Sequence, residues 1–196
     1  MVEINIVGKG VFGKFLEDCF RGHATFSEAA DTVILAVPVS AYAAVAEKYA
    51  GKHLVNVCSV QHKTNEACLK HSKYVTGIHP MFGAKSPKEG RTCIVTHTCD
   101  KSGDIIKLFE KIGSEIVTQL GATKIDGKIH DDMMRRTHVP VLAFGELAAL
   151  IVAQADGIPD NCLPTSFKKL KALAEQMKDM SPGTVESIRS NMHAEP

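Results

Sequence analysis

The segment Gly77-Ile-His79-Pro80-Met81-Phe82-Gly83 closes a short apolar run with a histidine. An imidazole titrates near about 6.5 when unperturbed, so modest tuning makes it a general base at neutral pH. A serine stands in a comparable place in Asn56-Val57-Cys58-Ser59-Val60-Gln61. Residues at the carboxyl ends of neighbouring parallel strands converge on one crevice, so Ser59 and His79 are expected to face one ligand. The other role open to Ser59 is to cap a helix that runs through Thr64. A further pair, His130-Asp131, opens a long helical stretch, where Asp131 would favour the dipole of that helix.

Three glycines supply a different chemistry. Gly8-Lys9-Gly10-Val11-Phe12-Gly13 follows a β-branched run and precedes a helical pattern. In that context the first glycine makes a tight turn, the second lets backbone approach a pyrophosphate, and the third lets helix pack on strand. Unpaired N–H groups at the helix start then hold phosphate. The segment predicts a nicotinamide dinucleotide, NAD or NADP, with Val37, Pro38 and Ser59 joining the six loop residues along its path. The stretch from Arg21 to Asp31 is so short that strand two and its helix look nearly deleted. Glu28 could meet a ribose hydroxyl, and Arg21 or His23 a 2′-phosphate; the same three residues could equally be solvated loop.

These groups need a frame, and the pattern supplies one. Strand-like runs at residues 4–7, 32–37, 53–57, 74–76, 92–96 and 114–117 alternate with helical patterns at 11–21, 40–50, 64–71 and 101–112. This is the signature of an α/β, Rossmann-like, mostly parallel sheet with helices on both faces. From residue 130 to about 155 the chain reads as one long apolar helix, kinked or restarted at Pro140. Further helices are expected at 166–180 and from Ser181-Pro182, with Ser181 as cap. The domain division is therefore 1–127 for the dinucleotide half and 128–196 for a small all-helical region.

Composition narrows the function classes. Among 196 residues, 23 basic and 22 acidic side chains leave a formal charge of +1, too little to gather nucleic acid or an anionic membrane. The six cysteines include no CxxC pair and the nine histidines no HExxH, so neither a disulfide frame nor a metal is expected. The N-terminus reads as a first strand rather than a signal peptide, and the apolar runs look too short to span a bilayer. A cytoplasmic protein is expected.

Taken together, Ile-Val-Gly8-Lys-Gly-Val-Phe-Gly13, Ala-Val-Pro38, Cys-Ser59-Val, Gly-Ile-His79-Pro-Met-Phe-Gly83 and His130-Asp131 resemble the prephenate and arogenate dehydrogenases of tyrosine biosynthesis. Order and spacing agree from about residue 4 to 155, and His-Pro-Met-Phe-Gly is the specific element. The resemblance implies an NAD(P)-dependent oxidative decarboxylation of prephenate or arogenate. His79 would take the proton of the ring 4-hydroxyl while hydride leaves C4, and Ser59 would orient the histidine or the hydroxyl. His130 would belong to the substrate-facing shell. His138 would take one of the polar places on the long helix, and Arg189 would bind a substrate carboxylate; Arg135 and Arg136, a basic pair on an otherwise apolar helix, could bind one bidentately or simply form a solvated face.

The pattern also departs from that family. Gln61 stands where it usually has a lysine, the nearest lysine being Lys63, and the helical region ends earlier than the family's. A helical region this short would lean on a second subunit, so a homodimer through residues 130–155 and the tail is expected. Two other classes compete: a dinucleotide-binding sensor or accessory subunit without turnover, and another small NAD(P)-dependent reductase. Such reductases carry a catalytic lysine on the long helix, and here no lysine lies between Lys128 and Lys168.

Overall fold

The computed structural model describes residues 1–178, 180 and 182–191. The chain forms two compact units, Met1–Asp132 and Met133–Pro196. The expected cap Ser181 lies outside the described residues.

The first unit is a seven-stranded sheet in the order β2-β1-β3-β4-β5-β6-β7. Its strands are β1 (Val2–Val7), β2 (Ala24–Phe26), β3 (Thr32–Leu35), β4 (His53–Asn56), β5 (Val75–Pro80), β6 (Arg91–His97) and β7 (Ser114–Val117). All neighbours run parallel except β5 and β6, which are antiparallel. The connections are α1 (Val11–Phe20), α2 (Tyr42–Lys48), α3 (His62–Leu69) and α4 (Ser102–Lys111). A small hairpin, β8 (Gln119–Leu120) with β9 (Thr123–Lys124), follows β7 and leads into α5 (Gly127–Ala153).

Side chains alternate across a strand, so each buried strand feeds two cores. Ile34 joins Ile4, Leu16, Phe20 and Phe109 on one face, where the Phe20 and Phe109 rings meet edge-on at 5.2 Å. Val33 and Leu35 join Tyr42, Ala46, Leu54 and Cys68 on the other. There the buried Tyr42 hydroxyl donates to the Leu35 carbonyl at 2.6 Å.

In line with the expected near-deletion, strand two is only a three-residue edge strand and no helix follows it before β3. What shrinks is the return to the far side of β1, which takes only residues 27–31. The stagger makes this possible. β2 pairs with Val2–Ile4, the lower half of β1, and β3 pairs with Ile4–Val7, the upper half. The chain leaves and re-enters the sheet near the level of Ile4, so no helix is needed to carry it back. The Ser27 N–H donates to the Ile4 carbonyl at 3.0 Å and the Asn5 amide to the Glu28 carbonyl at 3.3 Å, holding the crossing down.

The helix α5, which starts in the first unit, continues past Pro140 as a single 27-residue helix; α6 (Thr165–Lys178) and α7 (Pro182–Ser190) follow in the second unit. Gly145 brings α5 close to α6: a Cβ there would lie 2.1 Å from Met177 Cγ. Contrary to the expectation from apolar runs, the assembled helix is long and apolar enough to cross a membrane by length and composition, with an 18-residue window of mean hydropathy 1.4. Continuity through Pro140 joins runs that are short one by one; core helices of soluble proteins pass the same test.

Candidate active site

The glycine loop is built as its spacing demands. Gly8 turns with φ +108°, and a Cβ on it would lie 2.1 Å from the Ala36 carbonyl oxygen at the end of β3. A Cβ on Gly13 would lie 1.8 Å from the Gly8 carbonyl oxygen, so α1 rests directly on the turn. Gly10 differs: nothing lies within 4 Å of its missing Cβ. No side chain caps α1, and its first turn holds no acidic residue. Open space over Gly10 beside an uncapped helix start fits a pyrophosphate. Lys9 is exposed and pairs with Glu17 at 3.3 Å, Val11 is exposed and Phe12 half-buried. Val37 is half-buried beside Gly8, its Cγ1 lying 3.2 Å from the position of a Gly8 Cβ, and Pro38 is exposed.

Arg21 and His23 follow the far end of α1, which starts at Gly10, and a ten-residue helix is about 15 Å long. They lie at the amino edge of the sheet and not at the phosphate turn, which removes them as 2′-phosphate contacts. Arg21 instead pairs with Asp18 at 3.1 Å. Glu28 is exposed, just beyond the short β2.

At the carboxyl end of β5, His79 is 3% exposed and its Nδ1 lies 2.8 Å from Nε2 of His130, with the rings edge-to-face. His130 is fully buried, and its Nδ1 lies 2.8 Å from Oδ1 of Asp131. Asp131 also accepts the backbone N–H of Gln61 on Oδ1 at 2.7 Å and that of His62 on Oδ2 at 2.9 Å. The carboxylate thus caps α3 and does not, as the sequence suggested, serve the helix on which it sits. Nor does Ser59 cap α3, which begins at His62; Ser59 is half-buried in the loop beyond β4. Gly127 makes this cap reachable. A Cβ there would lie 2.7 Å from His62 Cα, so only glycine lets α5 start against the first turn of α3.

Tautomers follow from these partners. A carboxylate accepts only, so a neutral His130 carries its proton on Nδ1 and presents the Nε2 lone pair. His79 must then donate from Nδ1, which leaves the lone pair on its Nε2. The arrangement defines which nitrogen of His79 can take a proton.

Gln61 explains one departure from the family pattern. It is fully buried: its Nε2 donates to the Cys58 carbonyl at 2.7 Å and its Oε1 accepts from Thr96 Oγ1 at 2.6 Å. Asn65 Nδ2 donates to the same hydroxyl at 3.0 Å, and Asn56 Nδ2 donates to Asn65 Oδ1 at 2.8 Å. Gly77 makes room, since a Cβ there would lie 2.5 Å from Thr96 Oγ1. A lysine at 61 would put an ammonium into this closed network, where burial of charge is costly.

The remaining candidates lie in the second unit. Arg135 and His138 are half-buried and Arg136 is exposed on α5; Arg189 of α7 is exposed and pairs with Glu146 at 2.5 Å. Sequence reasoning missed the Asp131 cap, Gly127 and the buried role of Gln61. Each depends on a contact between distant segments, and Gly127 alone carried a visible signal, as a glycine opening a helix.

By sequence, the chain matches no described protein family and no curated protein. By structure it has close neighbours. A Corynebacterium glutamicum protein provisionally assigned as a prephenate dehydrogenase superposes with a TM-score of 0.73 at 17% identity, covering 98% of this chain and 75% of that one. The prephenate dehydrogenase from A. aeolicus, in complex with hydroxyphenyl propionate and NAD+, gives 0.69 at 17% identity over 98% and 84%. Synechocystis arogenate dehydrogenase gives 0.62 at 16% over 97% and 85%. A reductive aminase from Aspergillus terreus in complex with NADPH shares the fold at 11% identity and a TM-score of 0.59, covering 91% of this chain and 73% of that one. The chain therefore has the Rossmann-like fold of nicotinamide-dependent dehydrogenases and reductases.

Proposed function

We propose that this protein is a prephenate/arogenate dehydrogenase that oxidises and decarboxylates prephenate or arogenate with NAD or NADP. The carrying observation is the His79–His130–Asp131 chain, which leaves Nε2 of His79 as the basic nitrogen on the sheet that bears the glycine cradle. Gly8, Gly10, Gly13 and the uncapped start of α1 would hold the cofactor's pyrophosphate, beside Val37 and Pro38. When bound, the nicotinamide supplies the hydride acceptor. His79 Nε2 would take the proton of the substrate's 4-hydroxyl as hydride leaves C4; loss of the ring carboxylate as carbon dioxide then leaves its electron pair in the ring, which becomes aromatic, and the phenolate oxygen takes the proton back from His79. The positive charge gained by His79 is shared through His130 with the Asp131 carboxylate, as a buried charge requires. Ser59 is assigned to orient the hydroxyl. Arg135, Arg136 and His138 are assigned to the substrate's carboxylates. Arg189, the other candidate, would have to leave Glu146 to do so. The exposed apolar face of α5 is assigned to a homodimer.

The test is the absorbance of reduced nicotinamide with prephenate or arogenate, each crossed with NAD and NADP, for the native protein and His79→Asn. Turnover in one native combination, lost at least a hundredfold in the variant, supports the reading. Dinucleotide binding with no turnover in all four would replace it by the sensor reading, which the buried Gln61 in place of a lysine favours.

A further inference from the structure

The half-buried Arg91, at the start of β6, sits among groups that the proposed chemistry does not use. Its guanidinium lies over two aromatic rings, 5.0 Å from the centre of Phe15 and 5.1 Å from that of Phe82. Phe15 is on the second turn of α1, and Phe82 is the phenylalanine of the His-Pro-Met-Phe-Gly segment, three places after the base. These rings also touch each other edge-on, with centroids 6.2 Å apart. The N–H groups of Arg91 hold the loop that follows. Nε donates to the Pro87 carbonyl at 3.1 Å and Nη2 to that of Ser86 at 3.2 Å. Nη1 reaches the Ile112 carbonyl at 3.4 Å and Cys19 Sγ of α1 at 3.9 Å. Inside the loop the Gly83 N–H donates to Ser86 Oγ at 3.0 Å, completing a turn that Arg91 closes from outside.

We infer that Arg91 is a positioning residue: it locks the loop at residues 81–90 and the phosphate-binding helix to each other and so fixes His79 relative to the glycine cradle. This rests on the reading of His79 as the base. A planar fork with stacking faces is needed, because three carbonyls and two rings are held at once. Lysine offers a point charge and no face for the rings. The cradle does not depend on Arg91, since Gly8 and Gly13 are set by each other and by Ala36.

The experiment compares wild type, Arg91→Lys and Arg91→Met by three readouts. Trypsin cutting after Lys85 and Lys88 reports the loop, ring-nitrogen shifts of His79 and His130 in labelled protein report the base, and reduced-nicotinamide fluorescence with steady-state kinetics separates binding from turnover. Expected in both variants are cutting at least tenfold faster, displaced His79 shifts, and kcat lowered at least tenfold while dinucleotide affinity stays within about threefold. Lysine is not expected to rescue. Unchanged cutting and unchanged ring shifts would overturn the inference, as would a loss of dinucleotide affinity equal to the loss of kcat. If the wild type turns over neither substrate, the proposed function fails, while cutting and ring shifts still decide the role of Arg91.

Discussion

Asp131 accepts from three N–H donors at once, two from the start of α3 and one from His130. Removing its charge should therefore act on two properties together. In Asp131→Asn an amide donor would face N–H groups, costing about 1–3 kcal/mol at a buried site. The tautomer of His130 would also no longer be dictated, and with it the lone pair on His79 Nε2. Thermal melting and kinetics are expected to show a modest fall in Tm, kcat down at least a hundredfold, and dinucleotide affinity nearly unchanged. Full activity in that variant would remove the relay from the mechanism. A third buried histidine has no place in the proposed chemistry. His53, at the start of β4, lies against Thr76 at 2.8 Å and Thr32 at 3.3 Å, and burial lowers its pKa to about 4. The unfolded chain binds a proton as pH falls through about 6.5, while the folded one does not until about 4. Stability is thus complete above the upper value and declines between the two, by about 3 kcal/mol at most. Melting from pH 7.5 to 4.5 should steepen in the wild type relative to His53→Gln; parallel curves would refute this origin of acid sensitivity.

At the scale of elements, the turn from β1 to α1 separates packing from binding by single atoms. Gly13→Ala would set a Cβ 1.8 Å from the Gly8 carbonyl oxygen, so helix or turn must move, and both Tm and dinucleotide affinity should fall. Gly10→Ala meets nothing within 4 Å, so stability should change by no more than a helix-cap adjustment of about 1 kcal/mol. The methyl would fill the approach of the pyrophosphate, and affinity by fluorescence titration should drop at least tenfold. Unchanged affinity in Gly10→Ala would place the phosphate elsewhere. This turn was legible in the sequence because its parts are neighbours in the chain. So was the alternation of β3, whose Val33 and Leu35 face one core and Ile34 the other. Strand two was not, since three residues give no periodicity and only register against Ile4 reveals the pairing. The cap on α3 was hidden for a related reason: its donors and Asp131 are about seventy positions apart. His79 could be read as a base from its segment, but its partner His130 could be read only as a second polar residue near the substrate.

At the scale of the whole molecule, α5 unites a buried start with an exposed apolar face. His130 and Asp131 occupy its first turns, whereas Val141, Phe144, Leu147, Leu150 and Ile151 are 48%, 53%, 50%, 68% and 41% exposed. They recur at spacings of three and four, which gathers them into one stripe. An apolar stripe of this kind left in water marks an interaction surface. A second copy presenting the same stripe is the occupant expected, because an isologous contact needs only this helix to complement itself. Sedimentation should show a dimer at micromolar concentration, and the double variant Phe144→Glu, Leu147→Glu should run as a monomer. The sheet unit should survive that change, since neither side chain belongs to its cores. Co-sedimentation with lipid vesicles is the needed control, given the mean hydropathy of 1.4 over the apolar window. A wild type that stays monomeric across a wide concentration range but binds vesicles, and loses that binding in the double variant, would assign the stripe to a membrane instead of a second subunit.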